Sequence, residues 1–307
     1  MAWKQYYYTK PGYNYLWIPN GHVAVLTLDD GLLVKGRQKM VVLWEQTGGT
    51  KELAAGHWGL LLHPSVDATN KQRVKVTIKR IPSEKEALIV GVSDYKYIND
   101  LSYCDEDASD WYKFLRKKLY KCVVLGDGHP ENYPIYNGNA TEALVRTVFK
   151  RMLARSKTVV LVTSGHGGGD GKGNSYICLR NFSGGNDKYM DKELLADIRT
   201  KPTDTKVFIF IDNCFSGGFL DELQTIPNVI CLTTCSANGY GYDDPTSQHG
   251  MWTNQFLKEG LIKQFKYGSC TVDEAFTWAK EHYPMGVTNP GDIPQRINTM
   301  TDQSFTL

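Results

Sequence analysis

Two short stretches carry the residue types that do covalent chemistry. Ser164-Gly165-His166-Gly167-Gly168-Gly169 sets an imidazole in a glycine-rich turn, and Asp212-Asn213-Cys214-Phe215-Ser216-Gly217-Gly218 sets a thiol in another. Each follows an apolar run, 158–163 and 207–211, of the kind that forms a buried strand. A thiolate can attack a carbonyl carbon while an imidazole moves the protons. Backbone N–H groups in glycine turns can hold the developing oxyanion. Taken alone, Cys214 could be a core thiol and His166 a structural loop histidine. Their matching positions at two strand ends favour a cysteine hydrolase, with Cys214 as nucleophile and His166 as the proton-handling base. Two acidic residues lie close in sequence to this machinery. Asp212 stands two residues before Cys214, and Asp107 opens a helical stretch after the run 87–92. They read either as a satisfied turn carboxylate and a helix N-terminal charge, or as a shared pocket for an Arg or Lys side chain.

The elements around these stretches alternate. Residues 84–307 predict strands at 87–92, 122–125, 158–163, 176–179, 207–211 and 229–233. Helices are predicted at 105–119, at 141–154 with Thr141 as cap, and at 191–198, 251–262 and 272–282. This is the pattern of an α/β domain, a mainly parallel sheet with helices on both faces. Ligands of such a sheet bind beyond the carboxyl ends of its strands, where His166 and Cys214 fall. Residues 1–83 differ. They carry β-like runs at 22–27, 40–44, 57–62 and 73–80, parted by turn signals at Pro19-Asn20-Gly21, Thr47-Gly48-Gly49 and Asp67-Ala68-Thr69-Asn70. They predict a small, mostly antiparallel β module, with the aromatic residues from Tyr6 to Trp17 as packing. This module holds 11 Lys+Arg against 5 Asp+Glu, a charge of +6, and the remainder is −4. The excess is either a solvated basic face or a docking surface for an acidic partner.

Composition excludes several classes. The chain has 307 residues and a formal net charge of +2, which by itself argues for neither a nucleic-acid binder nor an acidic tail. No apolar run approaches the roughly 20 residues that span a bilayer, and the first residues show no apolar signal segment, so no membrane role is expected. Seven scattered cysteines do not form a disulfide framework and point to a reducing, cytoplasmic setting. The loop 165–173 lacks the order of a phosphate loop and the spacing of a calcium loop. Cys231 and Cys235 have no second pair to complete a zinc site.

Residues 86–307 resemble the metacaspases, within the caspase-like cysteine peptidases. The resemblance rests on Ala87-Leu88-Ile89-Val90-Gly91-Val92, on the L-x-x-C-x-x-D-A pattern from Leu101 to Ala108, on Ser164-Gly165-His166-Gly167, and on Asp212-Asn213-Cys214-Phe215-Ser216-Gly217. It implies a caspase-like fold and a Cys214–His166 dyad, with an oxyanion hole built partly from the amides of Gly167 and Cys214. It also implies an acidic pocket of Asp107, Asp212 and Ser164 that selects Arg or Lys on the amino side of the cleaved bond. Asn213 and Phe215 depart from the family's usual neighbours of the nucleophile. No cofactor is required for the chemistry. Ca²⁺ enters as an activator through positions that here are Asn181, Asp191, Lys192 and Asp221, which leaves Asp191 and Asp221 as the carboxylate ligands. The expected function is a cysteine endopeptidase working through an acyl-enzyme, with self-processing at basic residues of 172–201 (Lys172, Lys188, Lys192, Arg199). The alternative is a catalytically idle caspase-like regulatory module that docks through residues 1–83.

Overall fold

Each long apolar run of the larger unit becomes an inner strand of one sheet. The computed structural model describes residues 2–8, 12–18, 22–38, 41–53, 56–63, 74–80, 85–284 and 289–307. The chain divides into two compact units, 1–83 and 84–307.

The first unit is one antiparallel sheet of β1 (Ala2–Tyr8), β2 (Gly12–Ile18), β3 (His22–Gln38), β4 (Val41–Leu53), β5 (Gly56–His63) and β6 (Val74–Arg80). Its order is β1-β6-β3-β5-β2, with β4 also paired to β3. Two expectations change here. Thr47-Gly48-Gly49 is not a turn, because β4 runs through it. The glycine signal is absorbed where the β3–β4 register shifts between Leu28 and Leu33, and Gly49 takes φ 75°. The aromatic start is not simple packing either. Leu16 and Ile18 are buried, but Tyr13, Tyr15 and Trp17 alternate with them on the exposed face of β2. The turn signals at 19–21 and 67–70 lie outside the described residues.

The second unit has a six-stranded sheet, in the order β17-β14-β13-β9-β7-β8. It comprises β7 (Lys85–Gly91), β8 (Lys121–Leu125), β9 (Thr158–Ser164), β13 (Lys206–Asp212), β14 (Val229–Thr233) and β17 (Gln295–Asn298). All pairings are parallel except β14–β17. A small sheet of β10 (Gly167–Gly169), β11 (Ser175–Cys178) and β12 (Lys188–Met190) follows β9. The pair β15 (Asp243–Asp244) and β16 (His249–Gly250) follows β14.

The two faces of the sheet explain the alternation within its strands. Val207, Ile209 and Ile211 pack on one side with Val145, Phe149 and Leu194, from α2 (Glu142–Leu153) and α3 (Asp191–Ile198), and with Leu223 of α4 (Gly218–Leu223). Phe208 and Phe210 face the other side, where α1 (Cys104–Lys117), α5 (Met251–Thr253) and α6 (Val272–Glu281) supply Trp111, Trp252 and Phe276. Burying each such large apolar side chain is worth about 1.5–3 kcal/mol. α5 continues as a π-helix, Asn254–Gln264, in place of the expected single α-helix. Phe265 N–H bonds to Gly260 O and Tyr267 N–H to Ile262 O, each five residues back. Thr141 caps α2, its hydroxyl accepting from Leu144 N–H. The chain passes from β7 out to β8 and returns on the other side of β7 as β9. The cleft therefore opens at the carboxyl ends of β7, β9 and β13.

Candidate active site

β9 and β13 run parallel with Ser164 directly opposite Asp212. His166 lies two residues beyond Ser164, and Cys214 two beyond Asp212. Equal lengths of chain thus carry both reactive side chains past the same sheet edge, and both line one cavity of about 290 Å³.

The imidazole is held from two sides. Its Nε2 lies 2.8 Å from Asn99 O, and its backbone N–H donates to Tyr95 Oη at 2.7 Å. The Tyr95 and His166 ring centroids are 4.9 Å apart. A carbonyl oxygen only accepts, so Nε2 carries the proton and the lone pair of the neutral ring is on Nδ1. His166 thereby has the tautomer of a base.

Two cysteines line the cavity, and their settings differ. Cys104 is almost fully buried, and burial, then Asp107, push its thiol well above the ordinary range. Cys214 is half-buried, with Sγ 3.7 Å from Gly241 O. Burial raises its pKa as well. A neutral resting thiol needs a base to become a nucleophile. Phe215, next in the chain, takes φ 59° and donates its N–H to Gly239 O at 2.9 Å. That left-handed residue costs about 1–2 kcal/mol and sharpens the turn carrying Cys214.

Gly167 shows why the histidine turn is glycine-rich. A Cβ there would lie 2.2 Å from Cys214 O, so no side chain fits between the two turns. Gly167 pairs with Ile177 of β11, and Cys178 N–H bonds to His166 O on one flank of that pair. The pair is therefore the non-hydrogen-bonded kind, and the Gly167 N–H faces away from β11.

Asp107 and Asp212 converge on Gly250, whose Cβ would sit 2.5 Å from Asp212 Oδ2 and 2.8 Å from Asp107 Oδ2. Asp212, Ser164 and Gly250 line the cavity, but Asp107 stands behind its wall. Its Oδ2 accepts from Ser164 Oγ at 2.7 Å, and both its oxygens accept from Gly250 N–H at 3.2 Å. Asp212 Oδ2 accepts from the N–H and Oγ1 of Thr253 at the start of the 251–264 helix, each at 2.8 Å. Burial and then the charge of Asp212 push Asp107 well above the carboxylate range, and burial pushes Asp212 up to about 6. The sequence reading missed a further carboxylate, Asp243. It lines the same cavity, accepts from Ser102 N–H at 3.3 Å and is raised by burial. Its one sequence mark is a pair of acids in a stretch rich in glycine and tyrosine. Asn99 and Tyr95, in the loop after β7, carried no mark at all.

The two metal-ligand candidates are not brought into a cation site. Asp191 is buried, and its oxygens accept from Ser175 N–H and Lys192 N–H, each at 2.6 Å. Asp221 is exposed on α4. Among the described residues no three His, Cys, Asp or Glu side chains group as a metal would require, and the acids whose charges reach Asp191 are Glu222 and Asp170 rather than Asp221.

Of the four basic residues considered for self-cleavage, Lys172 sits in the exposed turn between β10 and β11. Lys188 lies in β12, Lys192 in α3, and Arg199 caps α3.

A cysteine and a histidine at adjacent carboxyl ends of a mainly parallel, helix-covered sheet define a caspase-like cysteine peptidase fold. The model of the Peptidase C14 caspase domain matches residues 84–282, and the chain belongs to that family. Among solved structures, it is similar to protein GSU0716 from Geobacter sulfurreducens, with 16% identity, 71% of this chain and 94% of that chain covered, and a TM-score of 0.53. It is also similar to caspase-1 from Spodoptera frugiperda, with 12% identity, 72% and 88% covered, and a TM-score of 0.52. At these identities the likeness is one of fold. No curated protein matched the sequence. Among the described residues no helix is long and apolar enough to cross a membrane.

Proposed function

We propose that the chain is a cysteine endopeptidase that cleaves after Arg or Lys. The observation that carries the reading is the single cavity shared by His166, Cys214 and the carboxylates of Asp212 and Asp243. A basic side chain entering it meets charges that burial has made costly, and relieves that cost. Asp107 acts from behind the wall by fixing Ser164 and the Gly250 N–H.

In the reaction, His166 Nδ1 takes the proton of Cys214 as the sulfur attacks the carbonyl carbon. The oxyanion is held by the Gly167 N–H and the Cys214 N–H. The imidazolium then protonates the leaving amine, and the acyl-enzyme forms. His166 next deprotonates water, which attacks the thioester and frees Cys214. A protonated His166 and Asp243 attract one another, which partly opposes the rise that burial gives the Asp243 carboxyl. No step uses a metal. All seven cysteines are free thiols, which suits a reducing, cytoplasmic setting.

The test is a set of peptides with Arg, Lys or Asp before the scissile bond, assayed with Ca²⁺ and with a chelator. Cleavage after Arg and Lys, unchanged by chelation, is expected. Cleavage after Asp alone would overturn the pocket assignment. Failure to react with an Arg-based thiol inhibitor would favour the idle-module reading.

A further inference from the structure

We infer that Asp292 is a positioning residue of the cavity, whose carboxylate holds residues 239–243 against the turn of the nucleophile. The inference rests on the proposed role of Cys214. Asp292 lies far from the dyad in sequence, in a short 3-10 turn, Pro290–Asp292, before β17, and it is fully buried. Its Oδ1 accepts from Tyr240 N–H at 2.7 Å. Its Oδ2 accepts from Tyr242 Oη at 2.5 Å and from Asn289 Nδ2 at 2.7 Å.

The two tyrosines flank Gly241, whose carbonyl faces Cys214 Sγ, and Asp243 follows with its carboxylate at the cavity. One carboxylate therefore grips the chain on both sides of the residue that touches the thiol. Backbone bonds run along the same clasp. Ser236 N–H donates to Gly291 O at 2.8 Å, and Phe215 N–H donates to Gly239 O. The Phe215 and Tyr240 rings meet edge to face, with centroids 5.3 Å apart.

The residue type follows from the donors. Three donors converge on Asp292, and only a carboxylate accepts from all of them while presenting no hydrogen of its own. Asparagine in its place turns an NH₂ group toward at least one of them, whichever way the amide is flipped. The bond to Asp292 also raises Tyr242 to about 12, so the phenol stays a donor across the working range.

The experiment compares the full chain with Asp292→Asn, Tyr242→Phe and the double variant. Kinetics with an Arg peptide are expressed per thiol titrated by a covalent inhibitor. The rate of Cys214 alkylation by iodoacetamide is read by peptide mass spectrometry. For Asp292→Asn we expect KM to rise about tenfold, kcat per titrated site to change less than about threefold, and alkylation to quicken severalfold. Tyr242→Phe should move both readouts the same way by less. The double variant should be no worse than Asp292→Asn, because both act through one bond. Unchanged KM and alkylation, with the loss confined to melting temperature, would overturn the inference. If Asp292→Asn does not fold, Tyr242→Phe decides by the same readouts. A wild-type chain that cuts no Arg peptide would sink the proposed function, and the alkylation rates would still decide the clasp.

Discussion

Ser164 and Asp212 occupy one register position on adjacent parallel strands, and each hands the chain on to a reactive side chain two residues later. Ser164 also bonds Asp107 at 2.7 Å. One row of the sheet therefore sets both the dyad and the acidic floor beside it.

Replacing Cys214 or His166 by alanine should lower turnover of an Arg peptide by about 10³-fold or more. The double variant should be little worse than either single one, since nucleophile and base act as a unit. Cys104→Ala should retain activity within about tenfold, because a buried, raised thiol is a poor nucleophile. A Cys104→Ala chain that is dead while Cys214→Ala turns over would reverse the assignment.

Asp212→Asn should trade function for stability. Burial raises the carboxyl from the ordinary 3.8 to about 6. Between those values the folded chain binds more protons than the unfolded, so stability falls as pH rises through the window and levels off above it. Two pH units at about 1.4 kcal/mol each put the loss near 3 kcal/mol. The asparagine variant can still accept from Thr253, so urea unfolding should find it about 1–3 kcal/mol more stable at pH 8 and equal near pH 4. Its cleavage after Arg should nearly vanish.

The same titration should shape activity. A cationic side chain needs the ionised carboxylate, so kcat/KM for an Arg peptide should drop about tenfold per unit below pH 6. A limb at that pH that persists in Asp212→Asn would assign it to another group.

How much of this was legible in the sequence can be judged residue by residue. The strands 158–163 and 207–211 were readable because runs buried on both faces must be apolar, and the turns behind them because glycine marks close backbone approach. Position along those strands was enough to put His166 and Cys214 at one sheet edge, whereas Asp212 stayed between two readings and Ser164 entered only through the family resemblance. Asp243 and Asn99 were not readable. Each reaches the cavity from a loop whose path is set by tertiary contacts, Asp243 through the short pairing with His249 and Gly250 and the bond to Ser102 N–H. Asp292 is further removed, since it touches the segment that touches the thiol. In the first unit, glycines at 48 and 49 signalled a turn but serve a bulge in a continuing strand, a choice made by the pairing partner.

Gly250→Ala should plug the cavity. The new Cβ would press on oxygens of both Asp107 and Asp212. The expected result is a rise of about tenfold or more in KM for Arg peptides, with a stability loss of about 1–3 kcal/mol from overpacking. Unchanged KM would place the basic side chain elsewhere.

Self-cleavage, if it follows the same specificity, should fall after Lys172. Its turn is exposed, and a Cβ on Gly171 or Gly173 would meet nothing within 4 Å. Mass spectrometry of an active preparation should find that cut, and Lys172→Ala should abolish it. Cuts at Lys188 or Lys192 instead would require β12 or α3 to open first.

A cut at that turn would leave β9 in one fragment and β13 in the other, still paired along seven registered positions from Lys206 and Thr158 to Asp212 and Ser164. The nicked protein would migrate as two polypeptides on a denaturing gel and elute as one particle from a sizing column. Histidine and cysteine would then belong to different chains of a single working enzyme, held as partners by the backbone ladder and by the two cores that pack across it.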